Sequence, residues 1–380
     1  MIDFSLTEEQ KALQKLARDF ARNEMAPVAA EYDESGEFPW PIIRKAHDLG
    51  LVNTIIPEEY GGMGGSAIEE CIVAEELFAG CAGMGASMLA NNLAIMPIIL
   101  AGTHEQKERF LTPLTEELIM AAFCLTESGA GSDVANLRTA VTKDGRDYIL
   151  NGSKMFITNG GVAGQYTMFA TFEPGKRNRR AFCALVVPRD TPGVSVGKKE
   201  NKMGQRASDT AEVIFENVRL PKENLLGQEG EGFKIAMQTL DKSRAHIAAC
   251  AIGIARAAFE AARDYAKERV TFGQPLAAHQ AIRFMLADMT IKIETARLMC
   301  WKAAWLADNG LPNKLESSIA KCYSADIGME VTTNAVQILG GYGYSKEYPV
   351  EKYMRDAKLM QIYEGANQIQ RIVIARGILK

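Results

Sequence analysis

Apolar positions change their period twice along the chain. Through the first 120 or so residues they recur at helical spacing, and Leu13, Leu16, Ala17, Phe20, Ala21 and Met25 make one stripe. Thr7 with Gln10 reads as a capping box ahead of that stripe, and Pro27 marks a break near its end. Further helical patches cover 42–49, 68–78 and 105–114. Pro39, Pro41, Pro57 and a run of glycines at 61, 62, 64 and 65 separate them. From about residue 138 to 219 the pattern turns to β-branched and aromatic runs between tight-turn pairs. Asp144-Gly145 and Asn151-Gly152 both read as hairpin turns around a strand at 147–150, with further strands at 181–187 and 211–215. No long helical pattern interrupts this stretch, so its connections should be antiparallel. Helical spacing then returns, predicting long helices over 233–269, 279–309 and 314–339, with Gly310-Leu311-Pro312 a break. The expected fold is a multidomain α+β protein: a helical domain at 1–120, an antiparallel β domain (barrel- or sandwich-like) at 121–228, and a four-helix-bundle domain at 229–380.

Composition fits that picture. The 380 residues are 47% hydrophobic and 24% charged, a balance that fills a real core. With 43 basic and 47 acidic side chains the net charge is −4, a poor match to nucleic acid. The one basic run, Lys176 to Arg180, follows Glu173-Pro174-Gly175 and reads as a solvated loop. The longest apolar stretch, 87–101, is broken by Asn91, Asn92 and Pro97 and looks too short for a bilayer, so no membrane insertion is expected. Seven cysteines, at 71, 81, 124, 183, 250, 300 and 322, are odd in number, widely spaced and mostly inside apolar runs. That argues for free thiols in a reducing compartment and against a zinc site. Met1-Ile2-Asp3-Phe4 lacks an export signal, so a cytoplasmic location is expected, with the mitochondrial matrix only if a transit peptide is missing.

The familiar catalytic signatures are absent, and four scattered histidines (47, 104, 246 and 279) make a His triad or metal site unexpected. Three segments stand out. Residues 123–133 (FCLTESGAGSD) offer exposed backbone N–H groups and short hydroxyls. Residues 337–344 (QILGGYGY) end a helix in glycines. Residues 361–371 (QIYEGANQIQR) hold Glu364 between an aromatic residue and a glycine, at an expected gap between helices. A carboxylate in an apolar pocket has a raised pKa and serves as a base near neutral pH. Taken singly, the three also read as a linker, a helix C-cap and a surface turn.

Together and in order they are more specific. The chain resembles the acyl-CoA dehydrogenase family from end to end, nearest its short- and medium-chain members. The resemblance is carried by 123–134 (FCLTESGAGSDV), 151–161 (NGSKMFITNGG), 203–209 (MGQRASD), 241–244 (DKSR), 269–274 (RVTFGQ), His279-Gln280 and 337–370. It implies a noncovalent FAD that accepts hydride at N5 while Glu364 removes the α-proton of an acyl-CoA thioester. The enolate oxygen would be held by the Glu364 backbone N–H and a flavin ribityl hydroxyl. The flavin ring would lie against Phe123, Leu125, Thr126, Gly131, Ser132, Phe156, Ile157 and Thr158, where Phe156 replaces a frequent Trp. Arg269, Thr271, Phe272, His279, Gln280, Gln337, Leu339, Gly340 and Gly341 would hold the adenine and pyrophosphate half of a neighbouring subunit's FAD. Ala366, Asn367 and Gln368 would close over the flavin. Ser132, Asp241, Arg244, Tyr363, Glu364 and Gly365 would contact the acyl-CoA.

Relatives for branched or long chains carry their glutamate at the position of Ser243, which cannot be a base. The resemblance therefore assigns that role to Glu364 and implies a short- to medium-chain substrate. Ala90, at a site that is acidic in a medium-chain relative, leaves the acyl end open. The resemblance further implies an electron-transfer flavoprotein as partner and a homotetramer built as a dimer of dimers. An enoyl-CoA reductase running in reverse, a specialised non-fatty substrate, or a flavoprotein without catalysis are the alternatives. A nitroalkane oxidase would need Asp at position 364, and an acyl-CoA oxidase a large further domain.

Overall fold

The computed structural model describes residues 5–379; the N-terminal stretch Met1 to Phe4, where no export signal is read, lies outside them. Thr7 caps the first helix. The Gln10 N–H donates to Thr7 Oγ1 at 3.2 Å, and the Thr7 N–H to Gln10 Oε1 at 3.1 Å. Helix α1 (Glu8–Phe20) buries Ala17 and Phe20. Pro27 distorts the chain without ending its helical course. A π turn (Ala21–Met25) and a 3₁₀ turn (Ala26–Val28) lead into α2 (Ala29–Ser35), because a proline early in such a turn has no N–H that needs a partner. Then come α3 (Trp40–Asp48), α4 (Ala67–Gly80), α5 (Ala82–Ala101), α6 (His104–Leu111) and α7 (Pro113–Glu116), the patch at 105–114 dividing at Pro113.

The expected break in 87–101 does not occur. α5 runs for 20 residues through Asn91, Asn92 and Pro97. The two asparagines are tertiary connectors rather than breakers. Asn91 donates to Asn53 Oδ1 and to the Ile119 carbonyl, each at 3.1 Å, and accepts the Ala121 N–H at 2.8 Å. Asn92 donates to Thr54 Oγ1 at 2.8 Å. With such partners, packing overrides local propensity. By length and composition α5 and α8 (Gly232–Glu268) could each cross a membrane, yet 67% and 72% of their most apolar windows are buried inside the protein. They are core helices.

The middle of the chain forms one eight-stranded sheet. Its strands are β1 (Ala121–Cys124), β2 (Ala140–Asp144), β3 (Asp147–Thr158), β4 (Gln165–Thr171), β5 (Phe182–Pro188), β6 (Val194–Lys199), β7 (Thr210–Pro221) and β8 (Leu225–Leu226), in the order β6-β7-β3-β2-β4-β5-β8 with β1 beside β4. Asp144-Gly145 does turn a hairpin, pairing Asp144 with Asp147. Asn151-Gly152 does not. It lies within β3 at a bulge against β7, where Gly152 takes φ +147° and the Asn151 and Asn217 amides bond across the strands. The sheet is also not wholly antiparallel, since β4 pairs parallel with β1 and, at one position, with β2. The basic segment at 176–180 is an exposed loop, as expected.

After α8 a small ribbon, β9 (Val270–Thr271) and β10 (Gln274–Pro275), leads to α9 (Gln280–Asp308), α10 (Lys314–Leu339), α11 (Val350–Met360) and α12 (Asn367–Ile378). The N- and C-terminal helices share one core, which runs from Phe20, Leu77, Phe78 and Met88 to Ile252, Met289, Val331 and Met360. Between α4 and α8 the backbones nearly touch: a Cβ on Gly253 would sit 2.2 Å from the Glu75 carbonyl. Arg256 and Arg297 bind Glu75 there at 3.0 and 2.8 Å, and Arg18 binds Glu76 at 2.7 Å. The seven cysteines are buried and unpaired.

Candidate active site

Glu364 lies half-buried in the link between α11 and α12, among three elements. Its backbone is left-handed (φ +49°), followed by Gly365 at φ +91°. A non-glycine residue held there costs about 1 kcal/mol or more and persists only when its surroundings impose it. They do. The Gly365 carbonyl accepts from Lys321 Nζ at 2.9 Å and Gln370 Nε2 at 3.0 Å. Asn367 is fixed by Cys322, Asp326 and Lys321. The Ser243 hydroxyl, on α8, donates to Glu364 Oε2. Burial pushes the Glu364 carboxyl above the usual range, and the Ser243 bond with the charges of Lys321 and Arg244 partly opposes that. Among the described residues the Glu364 backbone N–H has no acceptor.

Beside Ser243 on α8, Arg244 binds Asp241 one turn back, and Asp241 also takes Lys314 Nζ at 3.1 Å. Arg244 Nε is buried without a partner, a donor still free. Tyr363 is half-buried beside the base, its hydroxyl on Met360 Sδ at 3.2 Å.

The segment 123–132 leaves β1 and is braced from below by a buried ion pair. Lys154 Nζ bonds Glu127 Oε1 at 2.7 Å and the Leu125 carbonyl at 3.1 Å, while Glu127 accepts the Arg138 and Thr139 N–H groups. Met155 N–H meets the Thr126 carbonyl at 2.9 Å, which sets Phe156 to Thr158 beside this loop. Phe156 is 61% exposed and left-handed (φ +59°); Thr126 and Thr158 are half-buried and Gly131 and Ser132 exposed. The β1–loop–β3 edge thus offers an apolar ring and two hydroxyls, while Leu125 and Ile157 turn into the core.

The other expected cofactor residues do not join this edge. Arg269, Thr271, Leu339, Gly340 and Gly341, with Tyr265 and Tyr342, line a separate surface cleft of about 660 Å³. None of the residues at 123–132 or 156–158 lines it. The Arg269 guanidinium stands 5.5 Å over the Tyr342 ring, and His279 Nε2 holds Thr271 at 3.0 Å. Phe272, 98% exposed, Gln280 and Gln337 lie outside the lining.

Family models match most of the chain: the acyl-CoA dehydrogenase N-terminal domain over residues 7–117, the middle domain over 122–218 and the C-terminal domain over 230–379. This chain belongs to the acyl-CoA dehydrogenase family. It is 45% identical over 380 residues to a protein of Caenorhabditis briggsae called probable medium-chain specific acyl-CoA dehydrogenase 2, mitochondrial, covering 100% of this chain and 92% of that one. Its fold matches the butyryl-CoA dehydrogenase of Megasphaera elsdenii with a TM-score of 0.97 at 45% identity, covering 100% of both chains. A chain reported with the electron transferring flavoprotein of Acidaminococcus fermentans, in a study of flavin-based electron bifurcation, matches at 0.97 and 46%, again over 100% of both.

Acyl-CoA dehydrogenases are flavin-dependent oxidoreductases, and FAD is this enzyme's cofactor. Its own groups fit that cofactor. Arg269 supplies a fixed positive charge beside Gly340 and Gly341, and at these glycines no atom lies within 4 Å of where a Cβ would stand. A pyrophosphate can therefore approach the backbone closely. Thr126 and Thr158 suit a heterocycle edge, and Phe156 its face. Two expectations change in detail. The Asn367 side chain spends its polar groups on Lys321, Cys322 and Asp326 and so holds the loop, and Leu339, though it lines the cleft, is largely buried in the core. Ala366 is half-buried and Gln368 exposed beside it. Sequence reasoning missed Lys154, Glu127 and Lys321, charged residues inside apolar segments. Their burial was the available signal, but a single polar position in a stripe does not announce it.

Proposed function

We propose that this acyl-CoA dehydrogenase converts straight short- to medium-chain acyl-CoA to the trans-2-enoyl-CoA, with Glu364 as base. The observation that carries the reading is a half-buried carboxylate in a strained turn, bonded by one hydroxyl and raised by desolvation toward the range a general base needs. FAD, when bound, supplies the acceptor for the β-hydride. Glu364 takes the α-proton, and its unpaired backbone N–H is available to the thioester oxygen as charge develops there. Ser243 orients the carboxylate, and Arg244 with its free Nε, Asp241 and Ser132 face the rest of the substrate. The names of the medium-chain and butyryl-CoA relatives support the chain length. The electron transferring flavoprotein of Acidaminococcus fermentans, with which a similar chain is reported, supports an electron-transferring flavoprotein as acceptor. Likeness to bacterial relatives supports the cytoplasm, and the exposed apolar side chains Phe284, Ile291, Leu298 and Trp305 of α9 support a homotetramer.

The test is anaerobic bleaching of the flavin by butyryl-, hexanoyl- and octanoyl-CoA, against palmitoyl- and isovaleryl-CoA. The straight shorter chains should give the highest kcat/KM. Glu364→Gln should keep FAD and bind acyl-CoA but lose at least ~10³-fold in flavin reduction. Near-normal reduction in that variant would move the base elsewhere.

A further inference from the structure

Lys321 is an unusual residue to bury. It stands in the middle of α10 with its side chain fully enclosed. Its ammonium donates to the Gly365 carbonyl at 2.9 Å and Asn367 Oδ1 at 3.0 Å, and among the described residues no carboxylate pairs with it. A buried ammonium without a counter-ion is costly, and here it faces the turn that carries the base.

We infer that Lys321 is a positioning residue of the dehydrogenation: through Gly365 it fixes the direction of the Glu364 backbone N–H, and its charge holds the Glu364 carboxyl ionised in a dry site. The inference rests on the reading of Glu364 as the base. The anchoring follows from geometry. Two successive left-handed residues, 364 and 365, aim the free N–H of Glu364, and the carbonyl that closes the turn is gripped from two sides, by Lys321 and Gln370. The electrostatic half follows from who else is present. Glu364 faces Ser243, Arg244 and Cys250 of α8, Glu70 of α4 and Lys321 of α10. Arg244 is already compensated by Asp241, and Glu70, which burial keeps protonated at neutral pH, brings no positive charge. Lys321 itself faces Arg244, Cys322 and Asp326, and Asp326 is engaged by Arg371, Gln361 and Asn367. That leaves Lys321, bonded to the next residue of the turn, as the uncompensated cation that acts on the base. Desolvation brings its own pKa down to about 8, so it stays mostly charged at neutral pH.

The experiment compares the holoenzyme with Lys321→Met and Lys321→Gln, following flavin reduction by butyryl-CoA across pH, with FAD content as control. The acid limb of the rate profile should move up by ~1 pH unit or more in both variants, because both lose the charge. Lys321→Gln keeps a donor for the Gly365 carbonyl and should recover most of the high-pH plateau. Lys321→Met should not. An unshifted acid limb in both variants would overturn the inference, and so would a uniform loss of rate at every pH with lowered FAD content, the pattern of a merely structural lysine. If Lys321→Met does not fold, Lys321→Gln alone decides through its limb. A parent enzyme that no acyl-CoA bleaches sinks the proposed function and this inference with it. A parent that turns over normally, with Glu364→Gln inactive and the limb unshifted, sinks this inference alone.

Discussion

Glu70 is a carboxyl that stays protonated when most carboxyls would not. It sits in the first turn of α4 with Asn92 Nδ2 at 3.3 Å and His246 Nδ1 at 3.8 Å. That distance looks like an ion pair, but the chemistry says otherwise. Burial pushes Glu70 up to about 8 and His246 down to about 4, so at neutral pH both are uncharged. The consequence for stability has a definite sign. Below the ordinary value near 4.5 the group is protonated folded or unfolded. Between there and about 8 the unfolded chain ionises while the folded one keeps its proton, so stability falls as pH rises. Glu70→Gln removes that titration. Its gain in Tm over the parent should be near zero at the acid end, grow through neutrality and level off at about pH 8. A gain that is flat with pH would show that Glu70 is ionised in the folded protein. This residue was invisible in the sequence, because nothing in one glutamate among the acidic residues of a helix start tells that another helix will cover it. Glu364 was legible only because a long motif surrounds it. Ser243 was read there as a position that cannot be the base, and the structure adds that its hydroxyl holds the base.

At the level of elements, the long helices were legible and their company was not. The periodic stripes placed α8, α9 and α10 to within a residue at either end, because many apolar positions vote together. Short signals were weaker. Asn151-Gly152 has the composition of a turn, but Asn217 on β7 offers its amide a cross-strand partner and the pair becomes a bulge. Asn91, Asn92 and Pro97 resemble a break, and buried bonds to Asn53, Thr54, Ile119 and Ala121 make them a seam instead. What no local pattern could show is that α4 packs against α8 across 180 residues of chain. That contact gives a sharp prediction. Gly253→Ala places a methyl group against the Glu75 backbone, which cannot rotate away, and should cost ~2 kcal/mol or more. Gly129→Ala, where nothing lies within 4 Å of the new methyl group, should leave stability within about 0.5 kcal/mol. Urea unfolding of the two holoenzymes checks the pair. Equal midpoints would mean that α4 and α8 stand farther apart than described.

At the level of the whole molecule, the cofactor residues fall into two sets that this one chain does not unite. The β1–loop–β3 edge, with Thr126, Phe156 and Thr158, forms one. The cleft with Arg269, Gly340 and Gly341 forms the other, and none of the first set lines it. We propose that a single FAD uses both by running between two copies. The surface supplies a reason for copies to meet: Phe284, Ile291, Leu298 and Trp305 are 49–62% exposed and recur every seven residues along one side of α9. Phe272 stands nearly bare at the tip of the β9–β10 ribbon beside the cleft. A closed, symmetric assembly would cover both, and cofactor retention and assembly would then be one linked equilibrium. We therefore predict a tetramer of the 41.6 kDa chain in light scattering of the holoenzyme, shifting to smaller species when FAD is stripped. Arg269→Ala should weaken FAD retention by at least ~10-fold, since a charge-assisted contact to the pyrophosphate is lost from the neighbouring chain. Leu298→Glu, which puts a charge in the stripe far from any residue assigned to FAD, should dissociate the assembly and lose FAD as a consequence. A monodisperse monomer that holds FAD tightly, or a Leu298→Glu variant that is monomeric yet fully yellow, would show that the cofactor does not bridge two chains.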